Sequence, residues 1–414
     1  LAHDATGEKK YVVLNGDEGD PGAFMDRMLL ESYPLRVLEG LAIAAHAIGA
    51  DEAWLYIRHE YPLALERIRH AISLMEDAGL LGLGDRPLTM KIIEGAGAFV
   101  CGEETALLES IEGRRGTPRI RPPFPVEAGL WGKPTLVNNV ETLANVSWIL
   151  RNSPEAFAAM GTEKSPGSKV FSLAGKVNNG GLIEVEMGMT IRDIVEKLGG
   201  GVREGRTLKA VQIGGPSGGC IPASLADVPV DYEQLIDKGA MMGSGGLVVL
   251  DDTDCMVDIA RYFLRFTQDQ SCGKCSFCRI GTRRMLDLLD GLCQGRGRPE
   301  DLDTLETLAH RIKAGSLCGL GKTAPNPVLT TLRYFREDYL AHLDGRCPAG
   351  VCADLVTLRI TDDCIGCSRC AQVCPTGAIA FRPHEVHEID PEKCVRCGAC
   401  IEACPSDIAA VVKE

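Results

Sequence analysis

Short apolar runs alternate with helix-period stretches along the first third of the chain. Residues 11–14 form a continuous apolar run, read as a buried strand, and the acidic segment 15–22 after it is turn-rich. Residues 33–48 repeat apolar side chains at helical spacing, and Gly49 stands where a C-cap belongs. Residues 52–57 read as the next strand, 62–75 as the next helix and 91–93 as a further strand. A glycine-punctuated loop, 95–102, then opens a helix at 103–111. Strands alternating with helices predict a mainly parallel sheet covered by helices. Residues 119–125, proline-rich around Phe124, read as an extended arm, because proline fixes φ and removes a donor. Within residues 135–150 the helical pattern starts from about Asn139.

The pattern changes at residues 165–167. Short strands at 169–173, 181–186, 210–213 and 246–250 surround one helix, 191–198, in a glycine-rich α+β module. Amphipathic helices follow at 256–267, 281–292 and 304–314. The expected organisation is multidomain α/β: an α/β domain over 1–164, an α+β domain over 165–252, a helical domain over 253–343, a linker over 344–360 and a last module over 361–414.

The chain has 414 residues and a net charge of −13, which argues against nucleic acid as a partner, since phosphate backbones demand Lys/Arg stripes. No apolar stretch is long enough to predict a membrane-spanning helix, and the first ten residues lack the layout of a signal peptide. Eighteen cysteines crowd mainly after residue 250 in tight CxxC runs. In a long chain without a secretion signal this reads as metal ligation in a reducing, cytoplasmic compartment.

The strongest chemistry is at the C-terminus. Cys364-x2-Cys367-x2-Cys370-x3-Cys374-Pro375 has the spacing that wraps three thiolates around one [4Fe-4S] cluster and sends the fourth to a neighbour. Cys394-x2-Cys397-x2-Cys400-x3-Cys404-Pro405 repeats it 30 residues on (394 − 364). One cluster is therefore expected on Cys364, Cys367, Cys370 and Cys404, the other on Cys394, Cys397, Cys400 and Cys374. Zinc knuckles, the rival reading, favour longer gaps between CxxC pairs. Residues 361–414 resemble bacterial two-cluster ferredoxins.

A third run, Ser271-Cys272-Gly273-Lys274-Cys275-Ser276-Phe277-Cys278-Arg279, needs a fourth thiolate. Cys318, in Ser316-Leu317-Cys318-Gly319, is favoured because a helical hairpin would bring it back; Cys293 lies at the far end of the first helix. Zinc remains the rival for this run as well. This pair of motifs resembles the NADH-binding flavoprotein subunit of respiratory complex I and the diaphorase subunits of soluble NAD-linked [FeFe]-hydrogenases and formate dehydrogenases. The resemblance implies one [4Fe-4S] cluster near a flavin, a Rossmann-like FMN/NADH domain, a ubiquitin-like (SLBB-type) middle domain and a helical cluster domain.

The resemblance extends to the N-terminal half. Asn15-Gly16-Asp17-Glu18-Gly19-Asp20-Pro21-Gly22 resembles the family's acidic flavin turn, which implies FMN contacts from Asn15, Asp17 and Glu18. Cys101-Gly102-Glu103-Glu104-Thr105 resembles the loop whose glycine and glutamates line flavin and nicotinamide. The arm bearing Arg121 and Phe124 resembles the segment that reaches the nucleotide, with Arg where the family often has Lys. Val137-Asn138-Asn139-Val140-Glu141-Thr142 resembles the segment beside the flavin phosphate, which implies Val137, Asn138, Asn139 and Thr142. Taken alone, these segments are a polar turn and an acidic helix start. Glu104 beside an adenosine ribose would disfavour a 2′-phosphate, and so NADPH. The family's glycine-rich FMN-phosphate loop and preceding thioredoxin-like domain are absent. With no initiator Met, the expectation is an N-terminally truncated chain. Gly214-Gly215-Pro216-Ser217-Gly218-Gly219 lacks GxGxxG order and reads as a turn of the α+β module.

Cys347 and Cys352, with His342 and Cys255, form a candidate zinc set; the alternative is ordinary linker thiols. Cys220 and Cys293 read as buried structural thiols. The expected function is an NADH-dependent oxidoreductase subunit that moves electrons between NAD(H), FMN and three [4Fe-4S] clusters. Its expected partners are a small thioredoxin-like [2Fe-2S] subunit and a catalytic iron–sulfur subunit of hydrogenase or formate dehydrogenase type, with ferredoxin or a quinone reductase complex as further acceptors. The alternatives are a flavin-less electron relay, which would lack a flavin absorption band, and a zinc-rich scaffold, which would lack iron.

Overall fold

A computed structural model describes residue 4, residues 9–83 and residues 86–413; the opening stretch, which bears on truncation and on a signal peptide, lies almost wholly outside them. Four parallel strands form the first sheet in the order β3-β2-β1-β4: β1 Tyr11–Gly16, β2 Glu52–Arg58, β3 Thr89–Gly95 and β4 Thr135–Asn139. Successive side chains of β1 point to opposite faces, as the pleat requires. Val12 and Leu14 join helices α1 (Met25–Ser32), α2 (Pro34–Ile48), α3 (Pro62–Asp77) and α5 (Val140–Asn152) on one side. Tyr11 and Val13 join α4 (Glu104–Ile111) on the other. Helices α2 and α5 touch at Gly40, where a Cβ would stand 1.9 Å from the Leu143 carbonyl oxygen.

Strand β4 was not expected. Thr-Leu-Val-Asn-Asn is short and ends in two poor strand formers. It is held by an in-register parallel ladder with β1, Tyr11 opposite Thr135 through Asn15 opposite Asn139.

The second unit is a mixed five-stranded sheet. Its order is β8-β7-β9-β5-β6, from β5 Ser168–Gly175, β6 Gly181–Glu186, β7 Leu208–Ile213, β8 Gly219–Pro222 and β9 Gly246–Asp251. The helical stretch 191–198 lies where expected, although only its first turn is α-helical. Helices α6 (Met256–Asp269), α7 (Thr282–Cys293), α8 (Pro299–Gly315), α9 (Asn326–Tyr334) and α10 (Arg336–Leu343) follow. With the short helix Gly319–Thr323, six helices thus stand where three were expected. Helix α8 also starts earlier than its apolar pattern suggests, with Pro299 at its first position and Glu300 and Asp301 facing the positive end of the dipole. The last module is closed by two short antiparallel strands, β10 Leu358–Ile360 and β11 Val411–Lys413.

Candidate functional site

The carboxyl ends of β1 and β4 and the loop after β3 open onto a cleft of about 730 Å³, the place where open parallel sheets take ligands. Asn15, next to last in β1, has its amide fixed: Nδ2 donates to the Gly102 carbonyl (2.9 Å), and Oδ1 accepts from the Asp17 N–H (3.1 Å). Glu18 borders the cleft with its carboxylate engaged from within the protein. Its two carboxylate oxygens accept the N–H groups of Asp26 and Arg27, each at 3.1 Å, and the Tyr61 hydroxyl at 3.1 Å. It therefore caps the start of α1. Asp17 does the opposite: both carboxyl oxygens are buried without a hydrogen-bond partner. Burial raises its pKa to about 7, with Arg58 opposing. Asp26 is fully buried beneath; burial, then the charge of Glu18, pushes it to about 8, while Asn139 Nδ2 donates to its Oδ2 (2.7 Å).

Glu103 also caps a helix: its Oε2 accepts from the N–H groups of Thr105 and Ala106, each at 3.0 Å, as α4 begins. Arg121 pairs with Glu104 and lies 3.8 Å from Glu103. That pair offsets the charge expected to repel a 2′-phosphate. Asn139 caps α5, accepting from the Glu141 N–H at 2.8 Å.

Of the expected flavin residues, Asn15, Asp17, Glu18, Gly102, Glu103, Asn139 and Thr142 border the cleft. Glu104 and Arg121 stand beside Glu103 at its edge, and Phe124 is exposed on the arm. Val137 instead packs on the α4 side of the sheet, and neither it nor Asn138 borders the cleft.

Two walls went unforeseen. Gly214, Ser217, Gly243 and Ser244 reach the cleft from the second unit. The Gly214–Gly219 segment is a turn, as expected, but it faces the site. The second wall is Gly319, Leu320 and Thr323, directly after Cys318.

Cys318 sits with the Cys272 run. Burial raises Cys278 to about 11, and Cys275, Cys318 and Cys272 add to the rise. Cys293 lies elsewhere, beside Cys352. In the last module two small voids are walled by the cysteines in the crossed grouping: Cys364, Cys367, Cys370 and Cys404 around one, Cys374, Cys394, Cys397 and Cys400 around the other. Cys255, His342, Cys347 and Cys352 bring their ligand atoms within 4.8 Å of one another. His342 Nε2 lies 3.3 Å from Cys255 Sγ and 3.4 Å from Cys352 Sγ, and its Nδ1 is fixed on the Asp338 carbonyl at 2.6 Å. No helix among the described residues is long and apolar enough to cross a membrane.

Comparison with known proteins places this geometry. Residues 1–148 match the Nuo51 FMN-binding domain, 169–256 the SLBB domain, 258–342 the NADH-ubiquinone oxidoreductase-F iron-sulfur binding region and 363–408 the 4Fe-4S dicluster domain. The NADP-reducing hydrogenase subunit HndC of Solidesulfovibrio fructosivorans is 49% identical over 388 residues, 92% of this chain and 79% of that protein. An NADH-quinone oxidoreductase subunit of Rhizobium meliloti is 43% identical over 83% of each chain. The chain belongs to this family. It is an FMN-binding, iron–sulfur oxidoreductase subunit of the complex I and NAD-reducing hydrogenase type. A crystal structure of an NAD+-reducing [NiFe]-hydrogenase in the H2-reduced state superposes with a TM-score of 0.76 at 38% identity, over 83% of this chain and 58% of that one.

The cleft's side chains fit a flavin. Asp17 offers two buried oxygens without a protein partner, and Gly102, which also borders the cleft, packs close on the Asp17 turn, where a Cβ would stand 3.3 Å from the Asp17 carbonyl.

Proposed function

We propose that this family member exchanges hydride with NAD(H) at an FMN in the cleft and passes single electrons through three [4Fe-4S] clusters to a partner. FMN, when bound, supplies the conversion of a two-electron hydride into one-electron steps, which side chains cannot perform. The residues do the rest. Asp17 accepts hydrogen bonds from the ligand, Asn15 and Glu103 hold the glycine loop and α4 in place, and Glu18 keeps α1 against the floor. Arg121 and Phe124 meet the nucleotide at the rim. Cys272, Cys275, Cys278 and Cys318 hold the first cluster, and the two crossed sets in the last module hold the others. Cys255, His342, Cys347 and Cys352 hold a structural zinc, with His342 oriented by the Asp338 carbonyl as metal-ligating histidines commonly are.

One observation carries this reading: the cleft borders the cysteine set that would hold the first cluster. Gly319, Leu320 and Thr323 line the cleft immediately after Cys318, so electrons leaving a flavin there have a cluster beside them. A hydrogenase- or formate dehydrogenase-type catalytic subunit, with a thioredoxin-like [2Fe-2S] subunit, is the proposed complex, and ferredoxin a further acceptor at the last module. The CxxC runs in a chain of this length support a reducing, cytoplasmic setting.

The test is anaerobic metal, sulfide and flavin content with an NADH-reduced EPR spectrum, on chain that carries the family's glycine-rich loop. About twelve irons, from three four-iron clusters, one FMN and NADH-dependent cluster signals are expected. Full iron with no flavin and no response to NADH would refute the hydride step.

A further inference from the structure

The two C-terminal cysteine runs are related by a shift of 30 residues (394 − 364), yet their surroundings differ. In each run the residue after the second cysteine is left-handed. It is Ser368 at φ 59° in the first and Gly398 at φ 79° in the second. Glycine adopts this conformation freely and serine does not. A strained serine persists where its surroundings fix it, and here its hydroxyl lies 3.1 Å from His387 Nε2. His387 is 2% exposed, and its Nδ1 stands 3.8 Å from Cys364 Sγ.

The loop that carries His387 lies across the first run. His384 N–H donates to the Gly366 carbonyl at 2.9 Å, and a Cβ on Gly366 would come within 2.6 Å of the backbone of His384 and Glu385. At the matching place in the second run stands Arg396, 30 residues on. His387 and Ser368 help to wall the void of Cys364, Cys367, Cys370 and Cys404. Among the described residues no histidine walls the other void, where the nearest comparable group is the Thr376 hydroxyl, 3.7 Å from Cys374 Sγ.

We propose that His387 is a positioning residue for the cluster on Cys364, Cys367, Cys370 and Cys404: it donates Nδ1–H to the Cys364 thiolate and makes this cluster the more easily reduced of the pair. The inference rests on the reading that both runs hold clusters. A thiolate bound to iron has no proton to give, so the imidazole must be the donor in this contact. With its proton on Nδ1, Nε2 is left as an acceptor for the Ser368 hydroxyl. The thiolate thus selects the tautomer, and the Ser368 hydroxyl holds the ring in place from the other side. Hydrogen bonds to the sulfurs are among the terms that set a cluster's potential. A donor aimed at a thiolate strengthens as negative charge on the sulfur grows. Reduction adds one electron, supplied by the NADH-linked chain, with no proton taken up and no bond broken. Electrons entering the module should therefore collect on the Cys364 side.

Potentiometric EPR titration of the cluster-loaded chain tests this, with iron and sulfide measured on the same samples. His387→Leu should lower the more positive module potential by about 59 mV, a tenfold change in a one-electron equilibrium, and leave the other unchanged. His387→Gln, which keeps an N–H donor, should recover part of the shift. Ser368→Gly should lower the same potential by less, and the fold tolerates glycine there, as Gly398 shows. Unchanged potentials in both His387→Leu and Ser368→Gly at full iron would overturn the proposal, as would equal shifts of both clusters. A parent chain whose module binds no iron would instead overturn the cluster reading beneath it.

Discussion

Gly40→Ala sets two magnitudes against each other at the seam between α2 and α5. An alanine inside a helix is favoured over glycine by about 1 kcal/mol. The added Cβ, however, would stand 1.9 Å from the Leu143 carbonyl oxygen, where ordinary contact begins at 3.4 Å. The atom met is backbone near the start of α5, so no side chain can swing aside. The helices must part by about 1.5 Å (3.4 − 1.9). A gap of ~0.5–1 Å already forfeits a quarter to a half of each dispersion well, and Val37, Leu41, Val140 and Leu143 all belong to this core. Overpacking costs ~1–3 kcal/mol. A backbone clash belongs at the upper end, so after the helix gain the net loss is about 2 kcal/mol. At ~2–4 °C per kcal/mol for a unit of this size, the first thermal transition should fall by roughly 4–8 °C. Scanning calorimetry reads this directly. Flavin content on the same samples reads the consequence, because α5 begins beside Asn139 and carries Thr142 to the cleft. A Gly40→Ala chain that melts at or above the parent's temperature would refute the reasoning and show the seam to be soft.

Asp17 ionises near 3.8 when unfolded and only at about 7 when folded, so the native state holds an extra proton between those values. Stability of flavin-free protein should then fall as pH rises through that window, by up to ~1.4 kcal/mol per pH unit; Asp17→Asn should flatten the slope in thermal melts across it. Cys318→Ser should remove about four irons, one cluster's worth, whereas Cys293→Ser should leave iron content intact. Cys404→Ser should abolish the EPR signal of the cluster on Cys364, Cys367 and Cys370, although it lies in the other run; loss of only the second run's signal would contradict the crossed grouping. Cys352→Ser should cost about one zinc per chain by elemental analysis and leave iron unchanged.

The parallel sheet was legible because its strands and helices differ in period, and the cysteine sets because ligand spacing is a local property of the chain. Cys318 could be preferred to Cys293 from helix length alone, and the two thiols do lie apart, one beside Cys278 and the other beside Cys352. Strand β4 was hidden because its five residues draw their order from the ladder with Tyr11 to Asn15. The duties of Glu18 and Glu103 were hidden too: sequence marks them as acids near a flavin, but only packing reveals that the N–H groups of α1 and α4 occupy their oxygens and leave Asp17 free. The wall at Gly214 and Ser217 was dismissed because a turn's facing depends on docking between units, to which no local pattern refers.

The cleft's walls are drawn from distant stretches of chain, among them the first sheet, the turns near residues 214 and 243, and the residues after Cys318. During synthesis the site therefore stays incomplete until the ribosome has passed residue 323 and these parts have docked. A chain cut short of residue 316 should therefore retain flavin less well than the finished one, because the last wall of its cleft is missing.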